Sequence, residues 1–317
     1  MTACNASVFL ICLVAISSPP KRAFGFVMPS EDHHRKKPTS LFHRRHEQRH
    51  DDDYDRRAFL FAASAASAAL PLLAPPSIDS GSAARAISPE RASESYDAYA
   101  PTYDDLDGGA LASSLGIDDA RKRLLGAARG DVLEIGVGTG LNLDSYRFSS
   151  PDGVRSLTLV DVSEGMLSRA RERAGRIREA GGGIGDDSVP VKFVRADATS
   201  ELCSLFGEDA FDTVVDTFSL CVMGNEGARR CLSEMAGVVK RGEDGGRILL
   251  IENTRASNPL LGYYQDVTAS AAADVGGKGC IYNQNVGDMI RRTKGLQITK
   301  EEAFAAGLFR SFTCQKI

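Results

Sequence analysis

From about residue 118 onward, short runs of consecutive apolar residues alternate with longer stretches in which apolar positions recur every three or four residues. The first pattern suits strands buried on both faces and the second suits helices lying across them, so the chain predicts a mostly parallel sheet covered on both sides. A helix is predicted over 118–128, with Asp118 as its cap, then a strand over 132–135. A strand over 157–160 follows, with a helix that starts at the cap Ser163, runs through Met166, Leu167 and Ala170, and stops at the glycines from Gly181. Strands over 191–194 and 213–215, a helix from about Glu226 to Val239 stopped by Gly242, and a strand over 247–251 bring the parallel set to five. Apolar segments over 296–298 and 308–313, separated by an acidic and alanine-rich stretch, are predicted to close the sheet as an antiparallel pair. The expected fold class is α/β: a Rossmann-like, doubly wound, three-layer α/β/α arrangement, mostly parallel with a C-terminal antiparallel pair. Residues 256–295 carry helical runs and no strand signal, and an insertion there would lie over the carboxyl ends of the strands, where open α/β sheets bind ligands.

The first ninety or so residues break this pattern. The apolar run over 8–16 is too short to span a bilayer and fits a secretory h-region. A basic, histidine-rich stretch to Arg49 resembles an organellar transit peptide, from which the acidic run over 51–53 departs. Arg56 and Arg57 head an alanine-rich apolar run to Ala74, with small residues over 83–86 that suit a peptidase, an arrangement resembling a twin-arginine export signal. Stacked together, these layers resemble the leaders of plastid proteins in algae with secondary plastids, with Ala23-Phe24 at the first cleavage. The expectation is a targeting leader over 1–90 and a plastid, thylakoid-associated address, with a mitochondrial or other organellar membrane as the alternative. A disordered tail around one weak membrane anchor is the competing reading, and the apolar run is the segment through which the chain could associate with a membrane.

A formal charge of −4 does not make nucleic acid the default partner. All five histidines (His33, His34, His43, His46, His50) lie in the leader, so chemistry in the later part proceeds without imidazole. Behind the leader, Cys203, Cys221, Cys231, Cys280 and Cys314 show no paired spacing. Neither a zinc site nor a disulfide framework is expected of them, and buried thiols in a reducing compartment are. That expectation conflicts with export to an oxidising lumen.

The stretch DVLEIGVGTGLNL at 131–143 ends the first strand with glycines at alternate positions. A dinucleotide fingerprint would place its third glycine five residues after the first, where this chain has Leu141. Glu134 would also repel a phosphate, whereas it would suit an ammonium group. The stretch resembles the first motif of class I S-adenosylmethionine-dependent methyltransferases, which implies S-adenosylmethionine as cofactor, held by Glu134, Gly136, Gly138, Gly140 and Asn142. Asp161 stands where that family grips both ribose hydroxyls, with Val162 and Met166 flanking the adenine. In VRADA at 194–198, Asp197 matches the acid that accepts from the adenine amino group, beside the backbone of Ala198. In FDTVVDTFSL at 211–220, Thr217 lies at the strand exit that passes the methionine moiety. The cofactor offers hydroxyls, an exocyclic amine and an ammonium, all donors, so a lining of carboxylates and carbonyls matches it.

Upstream, YDAYAPTYD at 96–104 resembles the leading segment of the ubiquinone and menaquinone C-methyltransferase group and its methyltransferase-like relatives. There Tyr103 would lie near the sulfonium, whose charge an aromatic face favours; alternatively Tyr96, Tyr99 and Tyr103 are packing residues. Pro101 interrupts the helix and favours a mobile lid. The group's fourth-strand exit often continues His-Leu-Pro, where this chain has Cys221-Val-Met-Gly224, which puts direct transfer of the quinone activity in doubt. The resemblance implies a methyltransferase acting on a small acceptor, lipid-soluble and aromatic or quinone-like. Its alternatives are a protein or lipid N-methyltransferase and a non-catalytic assembly factor of the same fold. No metal site and no catalytic base are assigned; a base would have to be Asp, Glu, Tyr or Cys, unless the substrate ionises by itself. The segment over 256–295, which mixes aromatics, amides and glycines, is either the substrate-selecting surface or a plain connection.

Overall fold

The computed structural model describes residues 87–104, 109–148, 150–185, 188–241, 245–274 and 279–317. The leader features at 8–16, 21–24, 51–53, 56–74 and 83–86 lie outside the described residues. Along the described chain run α1 (Pro89–Tyr99), α2 (Gly109–Ser114), α3 (Ile117–Leu125), β1 (Gly130–Ile135), β2 (Val154–Asp161), α4 (Glu164–Glu179), β3 (Val191–Arg195) and α5 (Leu202–Phe206). They continue with β4 (Thr213–Thr217), α6 (Leu220–Val238), β5 (Arg247–Asn253), α7 (Pro259–Asp274), α8 (Val286–Arg292), β6 (Leu296–Phe304) and β7 (Phe309–Lys316).

The strands form one seven-stranded sheet in the order β3-β2-β1-β4-β5-β7-β6. The β1–β5 set pairs in parallel, and β7 runs antiparallel to both β5 and β6. Alternate residues of the central strands face opposite layers. Leu133, Ile135, Val214 and Leu250 pack with Leu232, Met235 and Phe312, while Val132, Leu157, Val215 and Leu249 pack with Leu125 and Leu167. That two-sided burial is the three-layer, Rossmann-like arrangement expected from the apolar runs. The strand order reverses on either side of β1, which opens a crevice at the carboxyl ends of β1 and β4.

Beyond shifts of a few residues at other element ends, three elements differ from expectation. Helix α3 is entered through Gly116 in the left-handed region, which puts Asp118 in the first turn, where the Ser113 hydroxyl donates to it. Helix α6 starts at Leu220, well before Glu226, and contains a non-helical joint at Gly224 (φ 67°, ψ 178°) that breaks the periodicity of its first turn. The acidic stretch taken as a connection is part of β6, an edge strand on which Lys300, Glu301 and Glu302 discourage pairing with another chain.

Within 256–295, α7 is held at the end of β5 by buried Gln265. Its amide oxygen accepts from the Ala256 N–H (2.7 Å), and its amide nitrogen donates to the Thr254 carbonyl (3.0 Å). Among the described residues of this segment there is no strand, as expected.

Candidate functional site

The turn after β1 places Gly136, Gly138 and Gly140 all in the left-handed region, at φ 60°, 55° and 83°. Each has a separate reason to be glycine. A Cβ on Gly136 would come within 2.5 Å of the Ser219 Cβ, so this residue lets the β4 exit pass close behind the turn. A Cβ on Gly140 would press on Leu143 (2.9 Å) and on the backbone of Ala170 in α4 (3.4 Å), so Gly140 supplies the close helix contact that a dinucleotide turn takes from its third glycine. Gly138 has open space, on the wall of a cavity of about 430 Å³.

Of the twelve residues expected at the site, nine line that cavity: Tyr103, Gly136, Gly138, Asp161, Val162, Met166, Asp197, Ala198 and Thr217. Asp161, at the end of β2, accepts from the Gly138 N–H and the Ser163 N–H, both at 2.9 Å, one on each carboxylate oxygen. Each oxygen keeps a further lone pair for a ligand hydroxyl. Asp197 ties its own turn, accepting from the Thr199 N–H and hydroxyl (both 2.8 Å) and the Ser200 hydroxyl (3.1 Å). It therefore caps a turn and lines the cavity at once.

Glu134, Gly140 and Asn142 stand behind the wall rather than in it. The Glu134 carboxylate is fully engaged inside the protein, accepting from the Tyr146 hydroxyl (2.6 Å) and the Asn142 amide (3.0 Å). Burial raises it to about 7 against those two bonds. Glu134 anchors Asn142, whose amide also donates to the Thr217 hydroxyl (2.9 Å) and so fixes the β4 exit. That support was not visible in the sequence, because Tyr146 lies beyond the glycine motif. The segment over 256–295 contributes no residue to the cavity wall among those described.

What covers the cavity is α1 and the chain after it, with Ile87, Pro89, Ala92 and Tyr96 on the wall. Two aspartates absent from the expected site pin this cover. Asp97 accepts from the Ser163 hydroxyl (2.5 Å) and the Gly165 N–H (2.8 Å), a carboxylate at the positive N-terminal end of α4. Asp104 accepts from the Thr139 hydroxyl (2.5 Å) in the glycine turn and pairs with Arg173 (2.5 Å). The signal in the sequence was the repeated Tyr-Asp pair seven residues apart, at Tyr96-Asp97 and Tyr103-Asp104. Replacing Asp104 with alanine is expected to cost about 1 kcal/mol or less in global stability, since the carboxylate is largely exposed. Amide hydrogen exchange across 89–104 should nevertheless quicken, and unchanged protection there would remove Asp104 as an anchor of the cover.

Phe218 also lines the cavity, with a left-handed backbone (φ 64°) that is unusual for a bulky residue. Its ring is clamped edge-on by Phe309 (5.7 Å between centroids) and by the Arg121 guanidinium (5.6 Å).

Burial pushes the Asp161 carboxyl up to about 6, while the N–H groups of Ser163, Gly138 and Val162 oppose the rise. For stability, a folded-state value above the ordinary 3.8 gives a contribution that is complete below 3.8 and lost as pH rises through 6. Ligand hydroxyls donate to the ionised form, so ligand affinity runs the other way. It should be full above pH 6 and fall by up to roughly tenfold per pH unit below it. Calorimetry across that range checks this, with Asp161→Asn expected to flatten the slope.

The chemistry of the lining fits a nucleoside without phosphate. Asp161, Asp197 and backbone carbonyls are acceptors, and Arg230, the cation on the wall, lies beside Glu226 (3.6 Å). Residues 132–242 match the family model described as a methyltransferase domain. Phosphatidylethanolamine N-methyltransferase of Cereibacter sphaeroides is 36% identical over 135 residues, covering 42% of this chain and 56% of that protein. Ubiquinone/menaquinone biosynthesis C-methyltransferase of Azotobacter vinelandii is 34% identical over 158 residues, covering 49% and 55%. This chain therefore spans about half the length of the curated relatives it matches. An O-methyltransferase family protein from Burkholderia thailandensis superposes with a TM-score of 0.52 over 70% of this chain and 62% of that one, at 19% identity, a likeness of fold. Sheet order, glycine turn and placed carboxylates agree with the domain match: residues 132–242 form a class I S-adenosylmethionine-dependent methyltransferase domain.

Proposed function

We propose that the protein transfers a methyl group from S-adenosylmethionine to a small, lipid-soluble acceptor of aromatic or quinone-like character in an organelle. The observation that carries this reading is the composition of the cavity wall away from its carboxylates. Tyr96 and Tyr103, 6.4 Å apart, and Phe218 stand there with Val222 and Met223. Aromatic faces favour both a sulfonium and a flat apolar acceptor.

S-adenosylmethionine supplies an electrophilic methyl on a positively charged sulfur. The residues of this chain bind and orient: Asp161 and Asp197 offer acceptors, Asn142 fixes Thr217, and α1 with Tyr103 excludes water. In such a transfer most of the acceleration comes from holding the reactants at near-attack distance. A carbon or oxygen acceptor must also lose a proton, and the acids on the wall are Asp161, Asp197 and Glu226.

Lipid N-methylation is the second reading, favoured by the 36% identity to a phosphatidylethanolamine N-methyltransferase. An amine acceptor also suits a chain with no histidine after residue 50. Incubation with methyl-labelled S-adenosylmethionine and an organellar lipid extract separates the readings. Label in a neutral aromatic product supports the first, and label in aminophospholipids supports the second. Cofactor binding without transfer points to a non-catalytic assembly factor. We place the protein in a plastid, associated with the thylakoid, on the composition of the leader alone. Fluorescent fusions truncated before and after Arg56 test that address.

A further inference from the structure

Two cysteines that take no part in the cavity wall meet behind its rim. Asn253, at the end of β5, donates its side-chain amide to both sulfurs, at 3.5 Å to Cys280 and 3.8 Å to Cys221. The Ile281 N–H donates to the Cys221 carbonyl (2.9 Å), which sets residue 280 beside residue 221. Cys221 is buried in the first turn of α6, and Cys280 is half-buried on the segment that leads into α8. The adjoining Cys280 sulfur and burial push the Cys221 thiol well up. Among the described residues, Cys203, Cys231 and Cys314 share no hydrogen-bond partner with another cysteine.

The pair also joins two strips of the rim. The first turn of α6 carries Val222 and Met223 on the cavity wall and is set off from the rest of the helix by the joint at Gly224. On the other side Gly279, next to Cys280, is left-handed (φ 67°), and a Cβ there would lie 2.7 Å from Ile87 Cδ1, itself a wall residue. A covalent link between residues 221 and 280 would therefore tie the α6 turn to the side of the cavity that Ile87 closes.

We propose that Cys221 and Cys280 form a reversible disulfide by exchange with disulfide oxidants, and that this bond fixes the rim of the cofactor cavity. Cys280, the more accessible, reacts first: its thiolate attacks one sulfur of the oxidant, the oxidant's S–S bond breaks, and one thiol leaves. The Cys221 thiolate then attacks the Cys280 sulfur of the mixed disulfide, the Cys221–Cys280 bond forms, and the second thiol leaves. Two protein thiols lose two electrons and two protons, and the oxidant disulfide is reduced to two thiols. The disulfide half of the proposal stands without the cofactor reading; the effect on the cavity rests on it.

The test uses the full 317-residue chain equilibrated in oxidised or reduced glutathione, quenched with iodoacetamide and mapped by mass spectrometry of tryptic peptides. The expected result is a peptide pair joined through Cys221 and Cys280, reversed by dithiothreitol and absent from Cys221→Ser and Cys280→Ser. A lasting glutathione adduct on Cys280 with no joined pair, or pairing scattered over the other cysteines, overturns it. Release of labelled S-adenosylmethionine should slow roughly fivefold or more in the oxidised protein, with no such change in Cys280→Ser treated alike. Equal release rates from the oxidised and reduced protein overturn the effect on the rim. A reduced protein that takes up no S-adenosylmethionine overturns the cofactor reading and the rim effect with it, while the peptide map still decides the disulfide.

Discussion

Replacing Asp161 with alanine should weaken S-adenosylmethionine binding by about 2 to 3 kcal/mol, the scale of charge-assisted hydrogen bonds, or roughly 30- to 150-fold. The carboxylate sits at the end of β2 with one oxygen on each of two backbone N–H groups, so its orientation is set before any ligand arrives. Such preorganisation is why its loss is expected to exceed that of an exposed acid. Removing it also frees the Gly138 N–H, so part of the loss passes through the glycine turn. Asp161→Asn separates the two contributions: it keeps one acceptor oxygen and the shape of the side chain, and should fall between wild type and alanine. Thermal melts should move less than affinity, because the alanine variant also loses a buried carboxyl that burial penalises. Calorimetry on the full chain reads the affinity directly. An affinity within twofold of wild type for Asp161→Ala would remove this residue from the site.

How far the site could be read ahead of the structure follows from where its information lies. The glycine turn and Asp161 sit at the carboxyl ends of β1 and β2, inside the sheet, and such strands announce themselves as apolar runs, while Asp197 follows the partly exposed edge strand β3. The places of Gly136, Gly138 and Asp161 at the strand ends were legible for that reason, as was the closing strand pair. The start of α6 was not, because Gly224 interrupts the helix one turn after it begins and hides the periodicity of Leu220 to Met223. The position of Glu134 was not legible either. The motif showed an acid two residues before the turn, but whether it faces a ligand depends on Tyr146 and Asn142, which reach it only once the chain after the turn folds back. Asp97 and Asp104 each follow a tyrosine in the segment over 96–104. The carboxylates make the attachments, to α4 and to the glycine turn, and the repeated Tyr-Asp pair marks these residues without showing what they reach.

Gly136→Ala should destabilise the fold, whereas Gly138→Ala should chiefly damage the cavity. Both glycines are left-handed, and an alanine in that region costs about 1 to 2 kcal/mol by itself. At Gly136 the added Cβ also meets Ser219 at 2.5 Å, and forcing an atom into a packed contact costs about a further 1 to 3 kcal/mol. Ser219 has little room to yield, since its hydroxyl donates to buried Asp216 (2.7 Å) and its N–H to the same carboxylate (3.2 Å). The total for Gly136→Ala is about 2 to 5 kcal/mol, a large part of the stability of a single domain. At Gly138 nothing lies within 4 Å of the new atom, so denaturant melts should show the backbone cost alone. Yet Gly138 is on the cavity wall and its N–H holds Asp161, so cofactor affinity should fall even where the fold survives. Melts and calorimetry on the two variants, side by side, thus distinguish a glycine required by the protein from a glycine required by its ligand. If Gly138→Ala unfolds more readily than Gly136→Ala, or binds cofactor as well as wild type, that division of roles within the turn is wrong.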